Sequence, residues 1–329
     1  MVDVAAAAGV SKATVSRVLQ QRGRFSPESR LKVLVAVREL GFVPNVMASE
    51  LASKQSTAVG LLLRDASNPA YAALFVELAR AARDADVPLI SMTVHHDRRG
   101  GFQVQALQRL IGMRVAGLIV ATGDVTSDQL SAFRDSVPIL RAGRPEAAAY
   151  INAVSYDELD NSRLITEHVL HAGHERIAVI QPTEHGSLPE HVRAQTMIEL
   201  IRAGGRTVHV IRADEADDGV QAALALVVDA GVTAIMTPTD KRQMTVMRGA
   251  LRLGLTVPGL VSVTGMDGLT PGSDLLGLTT VRLPVEELAT RAMARMTQLI
   301  RGEHPALRHE RLQGVLVPGT TLASPRARE

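Results

Sequence analysis

Hydrophobic and polar residues at the start of the chain alternate with the period of an α-helix. Two short helical stretches, DVAAAAG and VSKATVSRVLQ, meet at Gly9, and Ser11 is placed to cap the second by accepting a backbone N–H. The apolar side chains of the second stretch are predicted to pack inward: Val10, Val15, Val18 and Leu19. Its other side chains form an exposed face: Lys12, Ala13, Thr14, Ser16 and Arg17.

Two interpretations of this helix pair are open. Two amphipathic helices around a glycine occur in ordinary hydrophobic cores, but the same layout is that of a helix-turn-helix, whose second helix enters the DNA major groove. A third helix is predicted over residues 26–40, with Ser26 as N-cap, Pro27 at the first helical position and Gly41 at the left-handed C-terminal position. This third helix favours the DNA-binding interpretation.

From about residue 58 the pattern changes to short apolar strands that alternate with helices. The first series of strands reads AVGLLL, VPLISMTV, VAGLIVAT, VPILRAG and INAVSY, and the second reads RIAVIQ, TVHVIR, VTAIMTP and LVSVTG. Strands that alternate with helices predict βαβ units in a parallel sheet. Two such series predict two doubly wound subdomains, with a ligand cleft at the carboxyl ends of their strands.

Six motifs are spaced along the whole chain in this order: GVSKATVSRVL, GFVPN…ASELAS, VAGLIV, HVLHAGHERIAVI, GLTVPGLVSVTGMD and LTTVRLPVEEL. Together they resemble the lactose repressor (LacI/GalR) family of bacterial transcription regulators. The resemblance implies a small all-α helix-turn-helix DNA-binding head, followed by an α/β periplasmic-binding-protein-like core of two doubly wound parallel-sheet subdomains.

The resemblance also implies the domain boundaries. They are residues 1–45 for the head, 46–57 for a hinge helix and linker, and 58–329 for the effector-binding and dimerisation core. Within the core, the first subdomain takes about 58–156 and 284–320, and the second takes about 157–283. The final helix, roughly residues 285–301, is expected to cross back to the first subdomain.

The residues expected to contact DNA are Ser11, Lys12, Ala13, Thr14, Ser16, Arg17, Asn45, Ala48 and Leu51. Arg17 can read guanine through a bidentate contact, and Lys12 is a looser reader of base edges. Leu51, on a short helix capped by Asn45, is expected to wedge into the minor groove and kink the duplex. The implied target is a pseudo-palindromic double-stranded operator. Because the C-terminal tail carries no apolar heptads, a homodimer is favoured over a tetramer.

Composition and charge narrow the class of function. The chain has 329 residues, no cysteine and a formal net charge of +2. Residues 1–54 hold eight Lys or Arg against four Asp or Glu, so the head carries +4 and the remainder −2. Basic charge confined to the head favours salt-sensitive DNA binding. The lack of a signal-peptide pattern, of a membrane-spanning apolar run and of cysteine predicts a cytoplasmic, nucleoid-associated protein without disulfides.

Five residues follow predicted strands at positions where a cleft ligand would lie: Tyr71, Arg144, Arg193, Asp240 and Asp267. The resemblance places effector contacts at the same points. Arg193 and Asp267 can bind ligand hydroxyls by charge-assisted hydrogen bonds, or they can form a structural salt bridge, and both alternatives stay open. The expected effector is a small polar metabolite, a sugar or a nucleoside-like compound, with Tyr71 against its apolar side.

The chain departs from the family pattern within this expected effector site. Thr196 and Met197 replace the Gly-Phe of the R-x-x-G-F motif, and Leu283 replaces the usual Gln of the T-T-x-x-Q run. Aromatic residues make up only 2% of the chain, although sugar pockets commonly stack aromatic rings on their ligands. The identity of the effector therefore stays open.

An enzyme and a solute-binding protein are the rival interpretations of the core. No glycine-rich cofactor loop follows a predicted strand, so no catalytic residue and no cofactor are predicted. No Cys or carboxylate completes a metal shell around the histidines of EHVLHAGHERI, so no metal site is predicted. Instead, His174 is expected to satisfy backbone groups where a helix turns into a strand. The fused basic head and the missing export signal disfavour a solute-binding protein.

The start of the chain leaves two alternatives. The resemblance implies a Thr or Ser N-cap before the first helix, but this chain begins Met1-Val2-Asp3. Either the head is marginal, because a missing N-cap costs roughly 0.5–2 kcal/mol, or the true start codon lies upstream. The second alternative is favoured, because fraying of the first helix would blunt DNA affinity.

Overall fold

The computed structural model describes residues 1–19, 23–43, 57–94, 101–123, 125–184, 186–214, 217–303 and 309–326. The chain divides into two units, Met1–Ser56 and Thr57–Glu329, each with its own hydrophobic core. The first corresponds to the expected head with its hinge, and the second to the expected α/β core. The hinge residues of the expected DNA-contact set, Asn45, Ala48 and Leu51, lie outside the described residues.

The described part of the head contains three helices: α1 (Val2–Ala8), α2 (Lys12–Leu19) and α3 (Pro27–Glu39). Gly9 ends α1 with a φ of 63°, a left-handed conformation that glycine adopts without the steric cost of a Cβ. The Ser11 hydroxyl accepts the Thr14 N–H at 3.2 Å, and the Ser26 hydroxyl caps α3, both as predicted. Met1 is the N-cap of α1 and provides no side-chain hydrogen bond. The helices meet in one small core: Val4, Ala8, Val15, Val18, Val33 and Ala36.

A parallel sheet forms the centre of the first subdomain. Its strands are β1 (Val59–Arg64), β2 (Leu89–Val94), β3 (Gly117–Ala121), β4 (Ile139–Ala142), β5 (Asn152–Tyr156) and β11 (His309–Leu312). Their order is β11-β5-β4-β3-β1-β2, and every pairing is parallel. The helices packed against the sheet are α4 (Pro69–Asp84), α5 (Gly101–Gly112), α6 (Ser127–Ser131) and α11 (Val285–Ile300).

The late helix α11 returns to the first subdomain, as expected. Its residues Leu288, Ala292 and Met296 share a core with Leu74 and Leu78 of α4. Gly117 on β3 makes this close approach possible, because a Cβ at that position would collide with the Met296 sulfur.

The second subdomain contains a four-stranded parallel sheet. Its strands are β6 (Arg176–Pro182), β7 (Thr207–Ala213), β8 (Ala234–Met236) and β9 (Ser262–Thr264), in the order β7-β6-β8-β9. Its helices are α7 (Glu158–His171), α8 (Leu188–Ala203), α9 (Val220–Asp229) and α10 (Asp240–Arg252). They build two apolar clusters with the strands. Within the described ranges, no helix is long and apolar enough to cross a membrane.

The chain passes between the subdomains after β5, after β10 (Thr280–Arg282), and between β11 and β12 (Val315–Val317). Strand β12 pairs antiparallel with β10, and Leu316 and Leu322 pack into a core of the second subdomain. Residues 315–326 therefore belong to the second subdomain. The expected assignment of residues up to 320 to the first subdomain is therefore wrong, because pairing with β10 places residues 315–320 in the second subdomain.

His174 makes the backbone contact predicted from the sequence. Its Nε2 donates to the Ala323 carbonyl at 3.0 Å, and its Nδ1 then accepts the Thr233 hydroxyl at 2.8 Å. Burial lowers the pKa of His174, which favours this neutral form. The ring thus attaches the C-terminal segment to the second subdomain.

Candidate functional site

The candidate DNA-reading surface is the outer side of α2. The expected contact residues of the head are all exposed or half-exposed: Ser11, Lys12, Ala13, Thr14, Ser16 and Arg17. The Arg17 guanidinium folds along the helix, with Nε donating to the Ala13 carbonyl at 3.3 Å and Nη2 to the Thr14 hydroxyl at 3.3 Å. These acceptors are neutral and exposed, so exchanging them for a base edge or a phosphate costs little.

The candidate effector site is a cavity of about 340 Å³ at the carboxyl ends of strands from both subdomains. Its first-subdomain wall consists of Arg64, Asp65, Asn68 and Tyr71. Its second-subdomain wall comes from the starts of three helices and the loops before them: Gly186, Ser187, Glu190, Asp218, Val220, Thr239, Lys241, Arg242 and Thr245. This is the edge of the two sheets where the sequence predicts a cleft.

Of the five predicted effector residues, only Tyr71 is among the described residues that line this cavity. Arg144 Nη1 instead donates to the carbonyls of Gly123 and Val125, at 3.1 and 3.2 Å, and ties down the loop after β3. The other three predicted residues are buried and form one network: Arg193, Asp240 and Asp267. The structure thus brings three of the five together and leaves Arg144 apart.

Arg193 is the centre of the buried network, and its side chain is 5% exposed. Its Nε and Nη2 contact the two Glu158 carboxylate oxygens at 2.5 and 3.1 Å. Its Nη1 donates to Asp267 Oδ1 at 2.7 Å and to the Pro238 carbonyl at 3.0 Å. The salt bridge weighed from the sequence is therefore present, and Glu158 is a partner that the sequence analysis missed. Glu158 directly follows β5, the same strand-end signal that selected the other candidates.

The carboxyl groups of Glu158, Asp240 and Asp267 all lie near the Arg193 guanidinium. Burial raises the pKa of Asp267 to about 8, because lost hydration and the nearby Asp240 outweigh the Arg193 charge. Burial likewise raises the pKa of Asp240 to about 6, and it raises the pKa of Glu158. Burial alone would lower the pKa of Arg193, but Glu158 and Asp267 outweigh it and raise that pKa. The network therefore favours a carboxyl proton near neutral pH.

The Asp267 backbone is also unusual, with a φ of 116°. Non-glycine residues rarely adopt this region, and the strain persists only where surrounding contacts hold it. Here the Asp267 N–H donates to the Val281 carbonyl at 3.1 Å, and the Asp267 carbonyl accepts the Leu283 N–H at 2.9 Å. Strain of this kind clusters at ligand sites. Among the described residues, no group of three or more His, Asp or Glu is arranged to hold a metal ion.

A second buried ion pair, which the sequence analysis missed, lies in the first subdomain at strand β4. Arg141 Nε donates to Glu146 Oε2 at 2.7 Å, and both side chains are at most 2% exposed. The same guanidinium donates to the carbonyls of Thr122 and Val125 at 3.1 and 3.0 Å. Burial lowers the pKa of Arg141 to about 10, so the group stays charged at neutral pH. No sequence signal marks this pair, because Arg141 lies inside an apolar strand pattern.

Comparisons with known proteins agree with this architecture. Residues 1–45 match the profile of bacterial regulatory proteins of the lacI family, and residues 166–322 match that of the periplasmic binding protein-like domain. Catabolite control protein A of Priestia megaterium is 30% identical over 92% of this chain and 92% of its own length. The lactose operon repressor of Escherichia coli (strain K12) is 30% identical over 99% of this chain and 93% of its own length.

Solved structures give the same result. The crystal structure of the lac repressor dimer bound to operator and the anti-inducer ONPF superposes with a TM-score of 0.84 and 26% identity, over 97% of each chain. The order of the sequence motifs and the fold of the head and core are both those expected for this family. The similarities to known proteins extend over nearly the whole length of the chain. The chain therefore belongs to the LacI family of bacterial regulatory proteins.

Proposed function

We propose that this protein is a transcriptional repressor that binds a pseudo-palindromic double-stranded operator as a homodimer. The observation that carries the proposal is the exposed face of α2 on a separately packed three-helix head. The second helix of a helix-turn-helix reads the major groove with its N-terminal residues, and a two-fold dimer matches a palindromic site. The similarity to a repressor dimer solved on its operator supports both parts.

We assign roles within the head by position and chemistry. Lys12, Ala13 and Arg17 face base edges, where Arg17 can contact guanine O6 and N7 together. Ser11, Thr14 and Ser16 contact phosphates, which fix register without reading sequence. In the hinge, Asn45, Ala48 and Leu51 remain proposed contacts, with Leu51 as a minor-groove wedge.

We further propose that a small polar metabolite, a sugar or a nucleoside-like compound, binds the cavity between the subdomains and modulates operator affinity. Polar groups on both walls and the Tyr71 ring suit a hydroxyl-rich ligand with one apolar side. Asp240, Asp267 and Arg144 stay proposed effector residues. Because Arg193 donates four hydrogen bonds to protein acceptors, its proposed contribution is mainly to hold Asp267 in position.

We infer the cellular location and the lack of enzymatic activity from the family. The relatives named above are a control protein and an operon repressor rather than enzymes. We extend this to the present chain: it acts on nucleoid DNA in the cytoplasm, and it catalyses no reaction and uses no cofactor or metal.

Arg17→Ala is expected to weaken operator binding by roughly 1–3 kcal/mol and to relax specificity at one base position, because a bidentate base contact is lost. The operator is obtained by selection from random duplexes. Dissociation constants for the operator and for a scrambled duplex are then measured at one salt concentration, since phosphate contacts make affinity salt-dependent.

Arg30→Ala is the matched control, because Arg30 is exposed on α3 and its loss removes the same charge from the head. This control is expected to leave the ratio of operator to scrambled affinity unchanged. An equal loss of that ratio in both variants would contradict the role of α2.

A metabolite that binds the cleft is expected to raise the melting temperature of the full chain, because ligand at a hundred times its Kd stabilises the folded state by about 2.7 kcal/mol. A panel of monosaccharides, disaccharides and nucleosides is screened by thermal shift. Tyr71→Ala is expected to remove most of the shift, since Tyr71 is the one aromatic residue among the described lining. Tyr150→Ala, at an exposed tyrosine elsewhere, should keep it. A shift that survives Tyr71→Ala refutes this site.

A further inference from the structure

Arg64 joins the two walls of the cleft directly. It is the last residue of β1 in the first subdomain, and it is half-buried. Its Nη2 donates to the Gly186 carbonyl of the second subdomain at 2.8 Å, across 122 residues of sequence. Both residues line the cavity. This contact is therefore placed to respond when the two subdomains move apart.

Gly186, the acceptor of this contact, is held by backbone hydrogen bonds close to the start of helix α8, which carries Arg193. The Gly186 N–H donates to the Thr183 carbonyl at 3.1 Å, and the Thr183 N–H donates to the Ala213 carbonyl at 3.1 Å. Helix α8 begins two residues later and carries Arg193 in its second turn. A displacement of the Gly186 carbonyl is therefore expected to shift the start of α8, the helix that positions Arg193.

The donor side is supported as well. A Cβ on Gly123 would lie 3.8 Å from Arg64 Nη1, so the guanidinium lies beside the loop after β3. The Gly123 carbonyl is itself bound by Arg144 at 3.1 Å. A planar guanidinium that already packs against a loop loses less conformational entropy on forming a hydrogen bond than a free side chain does. The geometry therefore favours the hydrogen bond from Arg64 to the Gly186 carbonyl across the cleft.

The connections between the subdomains allow the cleft to open by a hinge motion. The subdomains are connected by three chain segments, after β5, after β10 and between β11 and β12. A few element-terminal residues of this kind can absorb the backbone rotation of a hinge. We propose that Arg64 is a closing residue, whose bond to Gly186 holds the two subdomains in the closed arrangement. This goes beyond the proposed function, because it requires neither DNA nor an effector.

The test measures subdomain separation in solution. The chain has no cysteine, so Gln105→Cys on α5 and Ala222→Cys on α9 accept spin labels without background. Labelled protein is diluted with an excess of unlabelled protein, and distances are measured by double electron–electron resonance without added metabolite. With Arg64 present, one closed population is expected to dominate. Arg64→Met is expected to lower the closed-to-open ratio about tenfold, the effect of losing one charged-donor hydrogen bond.

Controls separate closure from general damage. Arg83→Met removes an exposed arginine of the same subdomain, whose described partner is the adjacent Asp84, and should leave the distances unchanged. Arg64→Lys keeps the charge without the guanidinium fork and should lie between wild type and Arg64→Met; it carries the test if Arg64→Met fails to fold. Distances in either Arg64 variant equal to wild type, or a wild type that is mainly open, would overturn the proposal. Because the measurement uses neither DNA nor an effector, its outcome does not test the proposed DNA or effector binding.

Discussion

Replacing Arg193 with alanine is expected to lower the free energy of unfolding of the core by about 3–5 kcal/mol, the range found when one partner of a buried ion pair is removed. The cause is electrostatic. The variant leaves the Glu158 and Asp267 carboxyl groups buried without the guanidinium that contacts both of them. Urea denaturation of the full chain, followed by circular dichroism, measures the loss.

Arg163→Ala is the matched control for Arg193→Ala. Arg163 also contacts two acids, Asp160 and Glu167, but all three side chains are 40% exposed or more. Exposed pairs of this kind contribute little to stability because water screens them, so Arg163→Ala is expected to leave the free energy of unfolding close to that of wild type. If Arg193→Ala keeps wild-type stability and loses only effector affinity, Arg193 is a ligand-binding residue rather than a structural one.

The pH dependence gives this prediction a second test. Asp267 has a raised pKa in the folded protein, so its stabilising contribution is complete below the ordinary value of 3.8 and is lost as pH rises through about 8. Removing Arg193 removes the one attraction that lowers this pKa, and the loss with rising pH becomes steeper. The stability difference between variant and wild type is therefore expected to shrink on acidification from pH 8 to pH 5. A constant difference would contradict the electrostatic cause.

The elements of this fold were largely predictable because their signals are local. Ser11, Ser26 and Gly9 lie at helix ends whose capping chemistry depends on a few neighbouring residues. All nine apolar runs assigned as strands form strands. The central strands β1, β3, β4 and β5 are buried almost throughout, which requires continuous apolar segments, whereas the edge strands β2 and β7 are partly exposed. The cleft follows from the topology, because parallel strands end at one edge.

The contacts inside the site were not predictable in the same way. A strand-end position puts Arg144 near the cleft, but the direction of its guanidinium depends on the carbonyls of a loop 19 or more residues away in sequence. Arg141 sits in an apolar strand, where a charge is expected to point outward, yet Glu146 and two carbonyls compensate it in the interior. Strand β12 pairs with β10 across 35 residues, a contact without a local pattern.

Arg141→Ala is expected to lower the free energy of unfolding by about 3–5 kcal/mol, as for other broken buried pairs. The substitution leaves the Glu146 carboxylate without its cation and removes the donors to the carbonyls of Thr122 and Val125. Glu146 keeps hydrogen bonds from the Ser127 hydroxyl and two backbone N–H groups, which limits the loss. Arg134→Ala is the control, because its ion pair with Asp135 is exposed, and a change within about 1 kcal/mol is expected there.

A double-mutant cycle with Glu146→Gln tests whether charge or packing causes this loss. If the stranded carboxylate dominates, replacing it with a neutral amide removes the penalty, and Arg141→Ala then costs less in the Glu146→Gln background. A coupling energy of about 1–3 kcal/mol is expected, because the two side chains are in contact and their charged atoms lie 2.7 Å apart. Strictly additive losses would mean that Arg141 acts through its volume and its carbonyl contacts alone. The Glu146 carboxylate would then be held by its backbone and hydroxyl donors without help from the guanidinium.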